Sequence, residues 1–311
     1  MEDKEKRAKK FYESFLKYTE TLFSDFTIRK ELNFQSIQNM IKMSYEFVRL
    51  DRNHIVHVMQ TTERYKNPHV SHSVRSCIIA LIIGLQLKLP RHHLIELGIA
   101  GLLCNISVIN MPEWIYTSSE EGYNMLTSGT DAERELLYVH PIHANKILKA
   151  LNFPSPICEA VLHHHEFEDG TGFPQQLKGE DICMCGKILA VAGFYEAFSM
   201  SHIGGEKCGH NGIVRILKNS GNFNVTVLRA LVSSISIYPV GICVLLSNDK
   251  RGQVVDIDQE NPRFPIVKIF GDELLSEIVK TSDELSIVRP LTGEEIEEAV
   301  ENRNESDSKT A

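Results

Sequence analysis

Residues 163–174, His-His-His-Glu-Phe-Glu-Asp-Gly-Thr-Gly-Phe-Pro, hold more chemistry than any other stretch of this chain. Three adjacent imidazoles offer nitrogen donors suited to transition metals, and Glu166 adds a hard oxygen. Asp169-Gly170 and Gly172-Phe173-Pro174 supply a fixed backbone bend. Such a mixture points to a metal-dependent site. Two further histidines stand upstream at usable places: His140, followed by Pro141, and His72, followed by Ser73. The competing reading is that these histidines are hydrogen-bonded helix ends that hold no ion. Glu166 is read either as a general base or as the group that orients a neighbouring imidazole.

Helices must bring these residues together. Phe11, Phe15, Tyr18, Leu22 and Phe26 recur at steps of four, three, four and four, and Phe34, Ile37, Ile41, Tyr45 and Val48 repeat the pattern. The first sixty or so residues are therefore amphipathic helices that need a partner, either the rest of the chain or a second copy. Residues 74–87 are almost wholly apolar and predict a central helix. His72 is placed at the opening of that helix, and His140-Pro141 at the opening of another. Residues 91–103 follow as a helix after Pro90. Ser155 and Pro156 form an N-cap and first helical residue for a helix over 157–167, which delivers the histidine run. Residues 187–200 predict one more apolar helix, 201–211 a loop, and 213–219 and 225–236 the last two helices. The period then changes, and 242–246, 253–257 and 265–270 read as short strands.

Composition narrows the function classes. The chain has 311 residues, 42% of them hydrophobic, and a formal net charge of -8. An acidic chain is a poor general binder of nucleic acid. The seven cysteines show no C-x-x-C spacing and read as free thiols of a reducing cytoplasm. The charged N-terminus is followed by no apolar signal core, and the most apolar run, 77–85, is about half of what spans a bilayer. A cytoplasmic protein with no membrane partner is expected. Gly179 to Lys187 only superficially resembles a P-loop, since the spacing is too long and no Ser or Thr follows the lysine.

Taken in order, several motifs resemble those of the HD-GYP family, bacterial metal-dependent phosphodiesterases of cyclic di-GMP signalling. They are His72-Ser73, the run Ala100-Gly101-Leu102-Leu103-Cys104-Asn105-Ile106-Ser107-Val108, His140-Pro141, His164-His165-Glu166 with residues 169–174, Ile188-Leu189-Ala190-Val191-Ala192-Gly193, and Ile237-Tyr238-Pro239-Val240-Gly241. The resemblance covers residues 65–270. Together with the amphipathic N-terminal helices, it gives an expected mainly α fold: an HD-type helical bundle with an N-terminal helical extension and a small C-terminal β-rich segment. The expected divisions are 1–62 for the extension, 63–240 for the HD-GYP-like domain, 241–290 for the β-rich segment and 291–311 for an acidic, disordered tail. It also implies metal ligands at His72, His140, His164 and His165.

The departures bear on activity. Cys104 and Asn105 stand where the family has its His-Asp doublet, Val108 where it has a lysine, and Gly193 where it has a metal-binding aspartate. Phe173 replaces the tyrosine, His202 falls near the place of an arginine, and Pro68 takes the place of an acidic ligand found in some members. In the family the doublet's carboxylate bridges two ions and offsets their repulsion. Asn105 is neutral and Gly193 offers nothing. By resemblance one pocket keeps only His72, while the other keeps His140, His164 and His165. Three imidazoles with an open fourth position suit one transition metal ion: zinc, iron or manganese. The Cys104 thiol is read either as a substitute soft ligand or as a small buried residue. No residue is assigned a catalytic role. The expected function is a degenerate, non-hydrolytic regulatory or binding module of cyclic di-GMP signalling. Its partner would be a signalling protein or cyclic di-GMP, with homodimerisation through the N-terminal helices. The alternatives are a phosphodiesterase with an atypical metal centre and a structural interaction module with no ligand.

Overall fold

Helix α1 (Glu2–Arg29) and helix α2 (Phe34–Thr61) follow from the four- and three-residue steps of their apolar residues. Asn33 caps α2 by accepting from the Ser36 N–H. Tyr12, Phe15, Leu16, Phe23 and Phe26 of α1 and Ile37, Ile41 and Val48 of α2 are buried. The two helices pack on each other and on α3 (Pro68–Gln86), and α2 also packs on α4 (Arg91–Leu103). The apolar stripe that needed a partner is thus buried within the chain itself.

A computed structural model describes residues 2–62, 65–110, 131–199, 209–236, 238, 240–258, 261, 263–270, 277–293 and 295–296. His202, most of the expected loop over 201–211, Ile237, Pro239 and the tail beyond 296 lie outside the described residues.

Helix α3 starts earlier than the apolar run predicts. Asn67 accepts from the N–H groups of His69 and Val70, and Pro68 sits in the first turn. This cap fixes the start, so His72 lies in the second turn rather than at the opening. By length and composition α3 is apolar enough to cross a membrane, and most of that stretch is buried inside the unit. It packs against α1, α2, α4 and α7 (Met184–Ser199), which makes it the central helix. Helix α5 (Asp131–Ala150) pairs with α6 (Ser155–His163). Pro154, not Ser155, is the N-cap of α6. Helices α8 (Gly209–Lys218) and α9 (Val225–Ser234) complete the helical part.

The chain divides into two compact units, Met1–Leu231 and Val232–Ala311. The second carries an antiparallel sheet of β1 (Cys243–Leu246), β2 (Arg251–Asp256), β3 (Ile266–Ile269), β4 (Ile278–Lys280) and β5 (Ile287–Pro290), in the order β4-β3-β2-β1-β5. Val244 pairs with Gly252 and Val254 with Val267. Val244, Leu246, Val254, Ile257, Val267 and Ile269 form its core. Five strands stand where the sequence predicts three. The two additions are the sheet's edges, where alternation of apolar and polar residues weakens, and Pro290 is tolerated because an edge strand can spare a donor. The mainly helical fold with a small C-terminal β segment is as expected.

Candidate metal centre

His140 and Pro141 lie in the middle of α5, not at its start. Pro141 has no N–H to give the carbonyl four residues before it, Leu137. His140 Nδ1 takes that carbonyl instead, at 2.5 Å. The dipeptide thus makes chemical sense: the proline frees an acceptor, and the acceptor fixes the imidazole. A helix end does the same for His164. Helix α6 stops at His163, its last carbonyls run out of backbone donors, and His164 Nδ1 donates to Val161 O at 2.6 Å. Both bonds assign the proton to Nδ1 and leave the Nε2 lone pair free.

The two free Nε2 atoms face each other at 3.1 Å. Lone pairs at that separation repel unless a proton or cation lies between them. His165 completes the group: one donor atom from each of the three rings lies within 4.8 Å of the others, and all three residues are buried. Nitrogens bound tetrahedrally to zinc stand about 3.3 Å apart, so the donor set fits one such ion.

Burial acts on all three rings. It pulls the pKa of His140 down to about 4, against the raising effect of the Leu137 carbonyl. Burial, and then the neighbouring rings, hold His164 and His165 well below the ordinary histidine value. Each ring is therefore neutral near pH 7, the form that binds metal. The unfolded chain takes up these protons from about pH 6.5 downward while the folded chain does not. Stability should therefore fall as pH drops, by roughly 3 kcal/mol between about pH 6.5 and about pH 4 for His140 alone. Denaturant titrations of the metal-free chain across this range check it, and a flat profile would contradict the buried neutral triad.

The loop after the histidines packs on them. Phe173 stacks on His165 with ring centroids 4.6 Å apart and planes 22° apart, and Tyr138 meets Phe173 edge-on at 5.0 Å. The Phe173 N–H donates to His165 O at 3.0 Å. Gly172 is required by close approach: a Cβ there would come within 2.4 Å of Phe167 N and 2.5 Å of His165 O. Asp169 accepts from both the N–H and the hydroxyl of Thr171, and the bond before Pro174 is cis.

Glu166 has a different task from the two the sequence offers. Its buried carboxylate accepts from the N–H groups of Gln175, at 2.6 Å, and Leu177, at 2.9 Å. It clamps the loop and orients no imidazole through these bonds. Glu166→Gln would turn one acceptor into a donor facing an N–H, at a cost of about 1–3 kcal/mol. Thermal melts check this, and an unchanged midpoint would argue against the clamp.

Cys104 is the small buried residue of the two readings. Its thiol points to Gly101 O at 3.5 Å, burial raises its pKa to about 12, and it is not part of the three-histidine group. Asn105 Nδ2 donates to that sulfur at 3.6 Å. Val108 is buried, and a Cβ on Gly193 of α7 would meet nothing within 4 Å. His72 lies outside the group of three, yet its charge would depress all three rings. Its Nδ1 is held by Glu196, a buried carboxylate of α7. The sequence reading missed Glu196. The available signal was the one acidic residue of a largely apolar helix, since such groups are seldom buried unpaired.

The sequence profile of the HD domain family matches residues 54–222. The chain is 32% identical over 216 residues to a cyclic di-GMP phosphodiesterase of Pseudomonas aeruginosa, covering 68% of this chain and 49% of that protein. It is 29% identical over 204 residues to the cyclic di-GMP phosphodiesterase PdeB of Borreliella burgdorferi, covering 65% of this chain and 52% of that one. The chain thus spans about half the length of these curated relatives. Among solved structures, an HDG"Y"P protein from Bdellovibrio bacteriovorus shares the fold with a TM-score of 0.59 at 14% identity, over 73% of this chain and 71% of that one.

Proposed function

The chain belongs to the HD domain family, and on that premise we propose that it serves cyclic di-GMP signalling as a single-metal, non-hydrolytic regulatory module. The observation that carries the reading is the pair of Nε2 atoms facing each other at 3.1 Å, with a third buried imidazole beside them. His140, His164 and His165 would hold one zinc, iron or manganese ion, with His72 nearby. When bound, such an ion supplies an electrophilic centre that binds phosphate oxygens or water.

The rest of the pocket argues against turnover. A neutral amide at Asn105 and a bare Gly193 stand where the family resemblance places anionic metal ligands, and Val108 stands where it places a cation for the phosphoryl group. Each lost electrostatic contact of this kind costs on the order of 10²-fold in rate. The likeness to two cyclic di-GMP phosphodiesterases supports that nucleotide as the signal, read by binding rather than cleavage. A cytoplasmic setting and a signalling-protein partner belong to the same proposal. A homodimer through the N-terminal helices would use their outer faces, where Ile28, Met43 and Leu50 are exposed.

One observation favours a second reading, a phosphodiesterase with one metal ion. Glu196 and His72 form a carboxylate–imidazole pair beside the triad, an arrangement able to accept a proton from water. Incubation of cyclic di-GMP with the manganese- or iron-loaded chain separates the two. The proposal expects no cleavage above that of a chain lacking the three histidines. Metal-dependent turnover lost in Glu196→Gln would establish the second reading instead.

A further inference from the structure

Four polar side chains from three helices meet inside the first unit. The Tyr12 hydroxyl of α1 accepts from Arg75 Nε of α3 at 2.9 Å. Arg75 also reaches Glu196 of α7, with 3.7 Å between a guanidinium nitrogen and Oε1. The other carboxylate oxygen of Glu196 holds Nδ1 of His72, three residues before Arg75 on α3. Tyr12 is 1% exposed, Glu196 5% and Arg75 7%.

This arrangement is not what packing alone would select. Buried ion pairs are commonly no more stable than hydrophobic residues of the same volume. The surrounding stripe of α1 is apolar, and Phe at position 12 would fill the same space. What the polar chain provides is orientation. With its Nδ1–H donating to Glu196, the His72 ring carries its lone pair on Nε2. Arg75 balances the carboxylate's charge and limits where it can sit, and Tyr12 limits Arg75. His72 in turn lies close enough for its charge to act on His140, His164 and His165.

We propose that Glu196, Arg75 and Tyr12 are positioning residues that fix the tautomer and aim of the His72 ring, so that helix α1 helps to set the geometry of the imidazole site. A displacement of α1 by a bound partner or a preceding segment is then transmitted to His72 through three contacts rather than through bulk packing. The consequence for metal rests on the function proposed above. The consequence for the ring of His72 holds in the unloaded chain.

Two readouts on the full chain test it. Long-range proton–nitrogen spectra of the metal-free protein, at one fixed pH, report the two ring nitrogens of His72. Zinc titration reports the site. In Tyr12→Phe, which keeps the packing, the His72 ring signals should move, and zinc affinity should fall by about three- to tenfold. Glu196→Gln should move the signals further and lower affinity by about tenfold, the low end for groups that orient ligands, since His72 stands outside the three-histidine group. Tyr18→Phe, which removes an α1 hydroxyl bonded to Ser36 instead, should change neither. His72 signals that stay in place in both Tyr12→Phe and Arg75→Lys would overturn the proposal. A wild-type chain that takes up no zinc would sink the metal reading, and the spectra would still decide the coupling.

Discussion

A chain carrying alanine at His140, His164 and His165 together takes up no zinc, iron or manganese above background, while the wild-type chain takes up one ion. Structural zinc sites are worth about 10–16 kcal/mol over four ligands, so each imidazole contributes roughly 10²- to 10³-fold in affinity. Losing three leaves nothing to bind. The same variant separates a metal site from mere helix ends. In the wild type the Nε2 atoms of His140 and His164 face each other at 3.1 Å, and an ion relieves that repulsion. Zinc at about a hundred times its Kd should therefore stabilise the wild type by about 2.7 kcal/mol and the variant not at all. Differential scanning calorimetry with and without zinc checks this. An equal response from both proteins would mean that the histidines only finish their helices.

Restoring charge where the pocket lacks it should change the stoichiometry. Asn105→Asp is nearly isosteric, and Gly193→Asp places its Cβ where nothing lies within 4 Å. Together they would return carboxylates to the two positions where the family resemblance places acidic metal ligands. The metal-free double variant should be less stable, because buried carboxylates without a partner ion are costly. In return it should hold two ions, since an anionic group between two cations offsets their repulsion. Hydrolysis of cyclic di-GMP should then rise by about 10²-fold or more over the parent. Native mass spectrometry and a hydrolysis assay read both outcomes. A double variant that folds yet still binds a single ion would show that something other than charge limits the pocket.

The sequence offered candidate ligands but not their orientation. The likeness of its His-Ser, His-Pro and His-His-Glu motifs to those of the HD-GYP family put forward His72, His140, His164 and His165, and the fold gathers the last three. That Pro141 lies within α5 and releases the Leu137 carbonyl to His140 needs the helix register, which a proline signal at a helix start conceals. Glu166 was legible as a functional carboxylate, yet its partners are backbone N–H groups nine and eleven residues away, a contact that no periodicity predicts. Glu196 and Arg75 were passed over for a related reason. Arg75 is the one arginine of α3 and Glu196 the one acidic residue of α7, and their pairing depends on how α3 crosses α7. The helices with strong apolar periods were readable to within a few residues. The edge strands β4 and β5, short and weakly alternating, were not.

The most direct test of the account is the number and coupling of bound ions in anaerobically purified, manganese-loaded protein, measured by elemental analysis together with electron paramagnetic resonance. One ion per chain with an isolated-spin signal, lost in the chain without the three histidines, is the predicted result. Two ions per chain with a spin-coupled signal would contradict it.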